Sequence, residues 1–457
     1  MTENQYARWL KIDFDLCLPV IGGDRLDVVL KQVAIRVHQA MGLGPKPSTY
    51  LDLEQLQVAN YGAFEGVSEE QRQFITGLHS REPIRPEEMI FFALRSLFQF
   101  GWPKPTSNDD IRFAAAYDHV LSQILTDTAL DLAKQFTAPE ALLPYWGRLA
   151  FLRVMVELPI DHISRFGLDR VVCTLVKKAK LNATTFALEN GFVIGMDYAL
   201  EPILKHFNRY LLHYYSTEEM AGPNRLSRAW EGIAPTVLHF WSDVAITELT
   251  RSSTILFDEE MSVMAHRLTA DQIDFIVMHE LGHVALDHPG RLRAESKTGC
   301  DATTLRHEFE FAADAFALGL MRSKLVKEVS AKSTIPKATE VKINPVDQIT
   351  ASLREYQQGL GAAYLLFIFM DFIQRAGELL RDRLGEQINI RSRMDTHPEA
   401  RARLERLELM NLGEHLYTSA VQRYARDFLQ AVLDYAAALD NEGLRCSIAR
   451  HSAAVSG

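Results

Sequence analysis

Little in this chain points to a disulfide framework, an export signal or a nucleic-acid surface. Its four cysteines, Cys17, Cys173, Cys300 and Cys446, stand far apart and form no CxxC pair. That spacing argues against a staple framework and predicts reduced thiols in a cytoplasmic protein. No basic tract stands out and the formal net charge is -10, so nucleic acid is not an expected partner. The N-terminus, MTENQYARWLKIDFDL, has no basic region followed by an apolar one, and no cleaved signal peptide is expected. The most apolar run, Gly359–Met370, falls short of the about 20 residues of a spanning helix. It is flanked by Arg354, Glu355 and Asp371 and reads as a buried core helix, not a membrane span. No internal repeat is visible.

What is present is an ordinary globular composition, 47% hydrophobic and 24% charged over 457 residues. That supports a sizeable core and two to four domains, or one large elaborated domain. Helical spacing of apolar residues predicts helices over Leu26–Met41, Pro86–Phe100, Asp110–Gln135, Pro139–Glu157 and Glu201–Tyr215. ENGFVIGMD, Glu189–Asp197, reads as a turn and a short strand. Gly222, Pro223, Gly232 and Pro235 make Ser216–Pro235 a looser stretch and a candidate domain boundary. A helix near Thr236–Thr250 precedes SSTILFDEEM, Ser252–Met261, which reads as a strand. Thr269-Ala-Asp-Gln272 fits a capping box and is expected to open a helix that stops at Pro289-Gly290. A polar loop, Arg291–Thr304, then leads to a helix over about Leu305–Leu325. After a loop over Lys327–Asp347, a long helix is expected over Gln348–Leu384. Two more helices close the chain.

The chemistry lies in IVMHELGHVALDH, Ile276–His288, which contains HExxH. Residues four apart share a helical face, so His279 and His283 can offer two imidazole nitrogens to one zinc ion. Glu280 can then face the open metal position and take a proton from a metal-activated water.

The third ligand must come from elsewhere. HEFEFAADAFAL, His307–Leu318, puts Glu310 and Asp314 four apart on one face. Glu310 would complete a His₂Glu set, and Asp314 would accept the other ring N–H of a ligand histidine. Ala312, Ala313, Ala315 and Ala317 would let this helix pack closely on the first. Glu308 is a rival ligand, but the residue four further on is Ala312, so it lacks the supporting aspartate. Cys300 and Asp301 are loop alternatives. The HExxHxxGxxH pattern would need histidine where Pro289 stands, and His288 is one place short.

On these residues the chain resembles gluzincin peptidases. HELGH followed by EFAADAFAL is similar to the HtpX and CAAX prenyl protease family, in which a ligand glutamate sits in an ExxAD motif. The resemblance implies His279, His283 and Glu310 as ligands of one zinc ion, Glu280 as general base and Asp314 as the supporting aspartate. DTHPEARARLERL, Asp395–Leu407, resembles that family's late His-Pro motif, so His397 or Arg403 would help to stabilise the oxyanion. His397 can equally belong to a capped helix start, with Pro398 in the first turn. Members of that family are usually membrane proteins, whereas no convincing span is seen here. A weaker resemblance is to soluble phage-exclusion proteases of the Lit type, which would imply an intracellular protein target and a role in stress or phage defence.

The expected architecture is mainly α (α+β). It comprises a helical N-terminal domain over 1–225 for substrate recruitment or regulation and a zincin-like catalytic domain over 226–410. The latter would hold the HExxH helix, the ExxxD helix and a small edge-stranded sheet. C-terminal helices over 411–457 would pack on it. The expected activity is zinc-dependent endopeptidase cleavage of a protein or peptide substrate. The rival is a non-catalytic zinc-containing helical module, against which Glu280 speaks, because a structural site has no use for a carboxylate aimed at an open position.

Overall fold

The computed structural model describes residues 29, 32–33, 35–37, 39–42, 68–81, 87, 91, 108–134, 150–151, 154–155, 158, 160–176, 181–197, 199–216, 223–242, 259–295, 302–334, 345–385, 399–410 and 420–456. Among them the structure is mostly helical, with a small three-stranded sheet. The chain divides into two compact units. One takes Met1–Val156, Arg170–Ala199 and Ala245–Met264; the other takes Glu157–Asp169, Leu200–Val244 and Ala265–Gly457.

The first unit holds helices α1 (Glu69–Arg81) and α2 (Asn108–Ala133) and strands β1 (Val171–Val176), β2 (Ala183–Ala187) and β3 (Phe192–Asp197). The sheet order is β1-β3-β2, with β1 parallel and β2 antiparallel to β3. A capping box opens α1: the Gln71 amide donates to Ser68 Oγ (3.2 Å) and the Ser68 amide to Gln71 Oε1 (2.9 Å). The cap also grips the sheet. Gln71 Nε2 donates to the carbonyls of Arg170 (2.8 Å) and Phe192 (3.0 Å). Glu70 accepts the amides of Glu189 (2.7 Å) and Asn190 (3.0 Å) in the β2–β3 turn. Beneath these bonds Ile75, Val172 and Val193 form a buried cluster, with Phe74 tilted on Phe186 at 5.1 Å.

The second unit holds α3 (Ile160–Phe166), α4 (Leu200–Ser216), α5 (Pro223–Ser242) and most of α6 (Glu259–Ala285). It continues with α7 (His288–Glu295), α8 (Ala302–Thr334), α9 (Pro345–Leu384), α10 (Ala400–Met410), α11 (Ala420–Ala438) and α12 (Asn441–Ser456). Its centre is α9, which packs against α5, α8, α10 and α11. The expected core role of the Gly359 run is met: its helix is long and apolar enough to span a membrane, but 78% of that window is buried within the structure. Phe369 meets Phe207 of α4 (5.1 Å) and Phe367 meets Phe275 of α6 (5.9 Å, edge-on). The Trp241 indole lies flush on Gly377, where a Cβ would sit 1.9 Å from its Nε1, and it donates to the Ile373 carbonyl (3.0 Å).

Several sequence expectations are corrected. Residues 223–235 are helical, not loose: Pro223 takes the first position of α5, where no N–H is needed, and Pro235 lies inside it. The boundary expected at 225/226 therefore falls within one helix of one unit. The strand expected within Glu189–Asp197 is present as β3, while β1 and β2, which complete the sheet, fall in the otherwise helical N-terminal span without having been expected. Of the strand expected at Ser252–Met261, residues 252–258 lie outside the described residues, and Glu259 to Met261 open α6.

Thr269 does not cap α6; it sits in its middle. Its hydroxyl donates to the Ala265 carbonyl (2.8 Å), and with Gln272 it accepts from the buried Asn208 amide (2.9 and 2.7 Å). Pro289 does not simply stop a helix. It lies in the first turn of α7, and Arg291 to Glu295 are helical instead of looped. Helix α8 continues past Leu325 to Thr334, and α9 starts at Pro345.

Candidate metal centre

The site begins with a close approach of two helices. Gly282 of α6 faces Ala313 of α8; a Cβ there would lie 3.1 Å from Ala313 Cα and 3.2 Å from its carbonyl oxygen. The expected small-residue contact is thus made by Gly282 with Ala313; Ala313 and Ala317 are fully buried, while Ala312 and Ala315 are half-buried.

That spacing brings together the three residues expected to hold a metal. His279 Nε2 lies 3.1 Å from His283 Nε2. Glu310 places Oε2 3.4 Å from His279 Nε2 and Oε1 3.5 Å from His283 Nε2. One ligand atom from each residue falls within 4.8 Å of the others. Bonds of about 2.0–2.1 Å to a tetrahedral zinc place neighbouring donors about 3.3–3.4 Å apart, close to the spacing of the two imidazoles and of each imidazole from its nearer Glu310 oxygen. Glu308, the rival, is exposed on another face of α8. Cys300, Asp301 and His397 lie outside the described residues.

The remaining polar groups surround this triangle. Asp314 Oδ1 meets His279 Nδ1 at 2.9 Å, the relation expected from the four-residue spacing. Arg403, in the first turn of α10, binds Asp314 through Nε (2.8 Å) and Nη2 (2.6 Å), and its Nη1 lies 3.3 Å from Glu310 Oε2. Its guanidinium lies over the Phe367 ring at 4.7 Å. An arginine expected at the oxyanion is thus tied to the Asp314 and Glu310 carboxylates. Glu280 is 5% exposed, and its charge reaches Arg403.

The charges are strongly interdependent. Burial drives the His279 imidazole down, but the Asp314 hydrogen bond and charge, with Glu310, outweigh it and push the ring up to about 9. Burial and the neighbouring His279 push His283 down to about 3. Burial also works against ionised Asp314, yet the Arg403 charge holds its carboxyl below the usual range. Glu280, Glu310 and Asp314 are nine-tenths or more buried, as is the single guanidinium of Arg403. Ionised, the three carboxylates outnumber the Arg403 guanidinium, and a protonated His279 adds a second positive charge among them.

Sequence reasoning missed His288. In an unbroken helix, five residues from His283 points away. Here α6 ends at Ala285, Asp287 takes φ 50°, and α7 starts at His288. The turn brings His288 Nδ1 to 2.8 Å from His283 Nδ1. Asp287-His288-Pro289-Gly290 carried the signal, because a proline after a short polar residue starts a helix as readily as it ends one.

Two helices thus bring together an HExxH pair of histidines and a glutamate, a group that could hold a metal ion. The Peptidase U49 family, a family of Lit-like proteases, matches residues 241–422, which contain α6 to α10. The match supports a peptidase. It corresponds to the looser of the two resemblances; the HtpX and CAAX likeness is not confirmed by it. Comparison with curated proteins and with solved structures gives no match.

Proposed function

We propose that this chain is a zinc-dependent endopeptidase. His279 and His283 would hold one Zn²⁺ through Nε2, and Glu310 through its carboxylate. The observation that carries the reading is the approach of three donor groups: the two imidazole nitrogens stand 3.1 Å apart, and Glu310 sets one carboxylate oxygen 3.4 Å from His279 Nε2 and the other 3.5 Å from His283 Nε2. When bound, such an ion supplies Lewis acidity and lowers the pKa of a water to about 7.

The protein's own groups supply the rest. Asp314 accepts the His279 Nδ1–H, which leaves Nε2 with its lone pair toward the shared point. Arg403 fixes Asp314 and Glu310 and offsets part of their charge. The Glu280 carboxylate, one residue along the helix from His279, takes the proton of the attacking water and passes it to the leaving amine. The substrate is a protein or peptide, and the Peptidase U49 match over residues 241–422 is the second support for that class.

The test is Glu280→Gln. The variant is expected to keep one zinc per chain and lose hydrolysis by about 10²–10⁴-fold. Newly cleaved protein termini, compared by proteomics in cells making wild type or the variant, identify the substrate. Undiminished turnover by the variant would remove Glu280 from the mechanism.

A further inference from the structure

The two histidines of HExxH have unlike partners. His279 turns its second nitrogen to the Asp314 carboxylate, which Arg403 holds. His283 turns its second nitrogen to another imidazole, that of His288, at 2.8 Å. We infer that His288 is a positioning residue: its Nδ1 accepts the His283 Nδ1–H and holds the His283 Nε2 lone pair on the point shared with His279 and Glu310. This rests on the zinc reading above.

The His288 ring is built into its place. It is 3% exposed and stacks flat on Phe309, with centroids 4.2 Å apart and planes within 5°. Phe309 directly precedes Glu310, and the Arg291 guanidinium lies 4.6 Å from the Phe309 centroid. The backbone turn is pinned as well. The Leu286 amide donates to the Gly282 carbonyl and the Asp287 amide to the Val284 carbonyl, both at 3.0 Å. The Arg291 amide donates to the Asp287 carbonyl at 2.9 Å.

The direction of the imidazole pair follows from chemistry. Between two Nδ1 atoms one must donate. If His288 donated, the neutral His283 ring would carry its proton on Nε2, facing the other two donors, and could not ligate there. Ligation through Nε2 therefore puts the shared proton on His283 and the His288 proton on its own Nε2. A neutral acceptor also adds no fourth carboxylate to surroundings where Glu280, Glu310 and Asp314 already stand.

The experiment is a chelator competition for Zn²⁺ on wild type, His288→Phe, His288→Asn and His279→Ala. Phenylalanine keeps the stacking surface and loses the acceptor, so zinc binding is expected to weaken about 10–100-fold. Asparagine can place Oδ1 where Nδ1 stood and is expected to recover wild-type affinity to within about threefold. Equal affinity for wild type and His288→Phe, or no recovery by asparagine, overturns the inference and leaves the zinc site standing. A wild type that takes up no zinc, or His279→Ala that binds as wild type does, sinks the metal reading and this inference with it. Nitrogen NMR of the zinc-loaded wild type with labelled histidine rings needs no variant. It should show His288 protonated on Nε2 and bare on Nδ1; a proton on His288 Nδ1 would overturn the assignment of His288 as acceptor.

Discussion

The helix pair α6–α8 buries charge at two places along its length. At one, Lys324 of α8 meets Asp274 (2.7 Å) and Asp271 (3.2 Å) of α6. Lys324 and Asp274 are almost fully buried, while Asp271 reaches solvent at 21% side-chain exposure. A flexible ammonium closes that cluster with the protein's own atoms, and the surplus charge sits where water can reach it. Two turns further along α6, His279, His283, Glu280, Glu310 and Asp314 gather beside Arg403. Three facts separate this place from the first: all its carboxylates are buried, its imidazoles and the Glu310 carboxylate approach within 3.1–3.5 Å, and that spacing suits a small ion. The same two helices thus carry a finished ion pair and a cluster suited to an added cation.

The comparison can be broken at either place. The largest effect is expected from Glu310→Ala, which removes one of three donors. Zinc affinity should fall by about 10²–10³-fold, roughly the share of one ligand in a four-ligand structural zinc site. Glu308→Ala, on the exposed face, should leave it unchanged; equilibrium dialysis of both variants against zinc decides, and the reverse result would move the third ligand. Lys324→Met should instead cost about 3–5 kcal/mol of unfolding free energy in a denaturant titration, because Asp274 stays buried without its cation. Zinc affinity in that variant should hold while the protein is folded; a large loss would mean that the two clusters act as one. Thr269→Val, at the neighbouring Asn208 contact, should cost about 1–2 kcal/mol by leaving an amide hydrogen without an acceptor. No measurable cost would show that Gln272 alone satisfies Asn208.

The legible part of this site followed from helical geometry alone. Positions four apart share a face in any helix, so His279 with His283, and Glu310 with Asp314, could be paired without any tertiary contact. His288 could not, because its direction depends on one left-handed backbone angle at Asp287. The capping box shows the same limit. Ser68-Glu69-Glu70-Gln71 caps a helix, whereas Thr269-Ala-Asp-Gln272 has the same pattern and lies mid-helix. The residues before Thr269 are themselves good helix formers, so nothing forces a start there, and its polar atoms serve Asn208 instead. Strand β1, VVCTLV, is a short buried apolar run, a pattern that periodicity alone does not separate from a helix segment. Its identity is set by pairing with β3, in a register that places Val171 opposite Phe192.

Where α6 crosses α8, the smallest side chain in the code meets the next smallest. A methyl group added at Gly282 would act as a shim, and Ala313 would have to give way by a few tenths of an ångström. Displacements of that size are also the margin within which donors on two separate rods can still share a centre. The scaffold's manufacturing tolerance and the site's are therefore one quantity, set by a residue that carries no chemistry of its own.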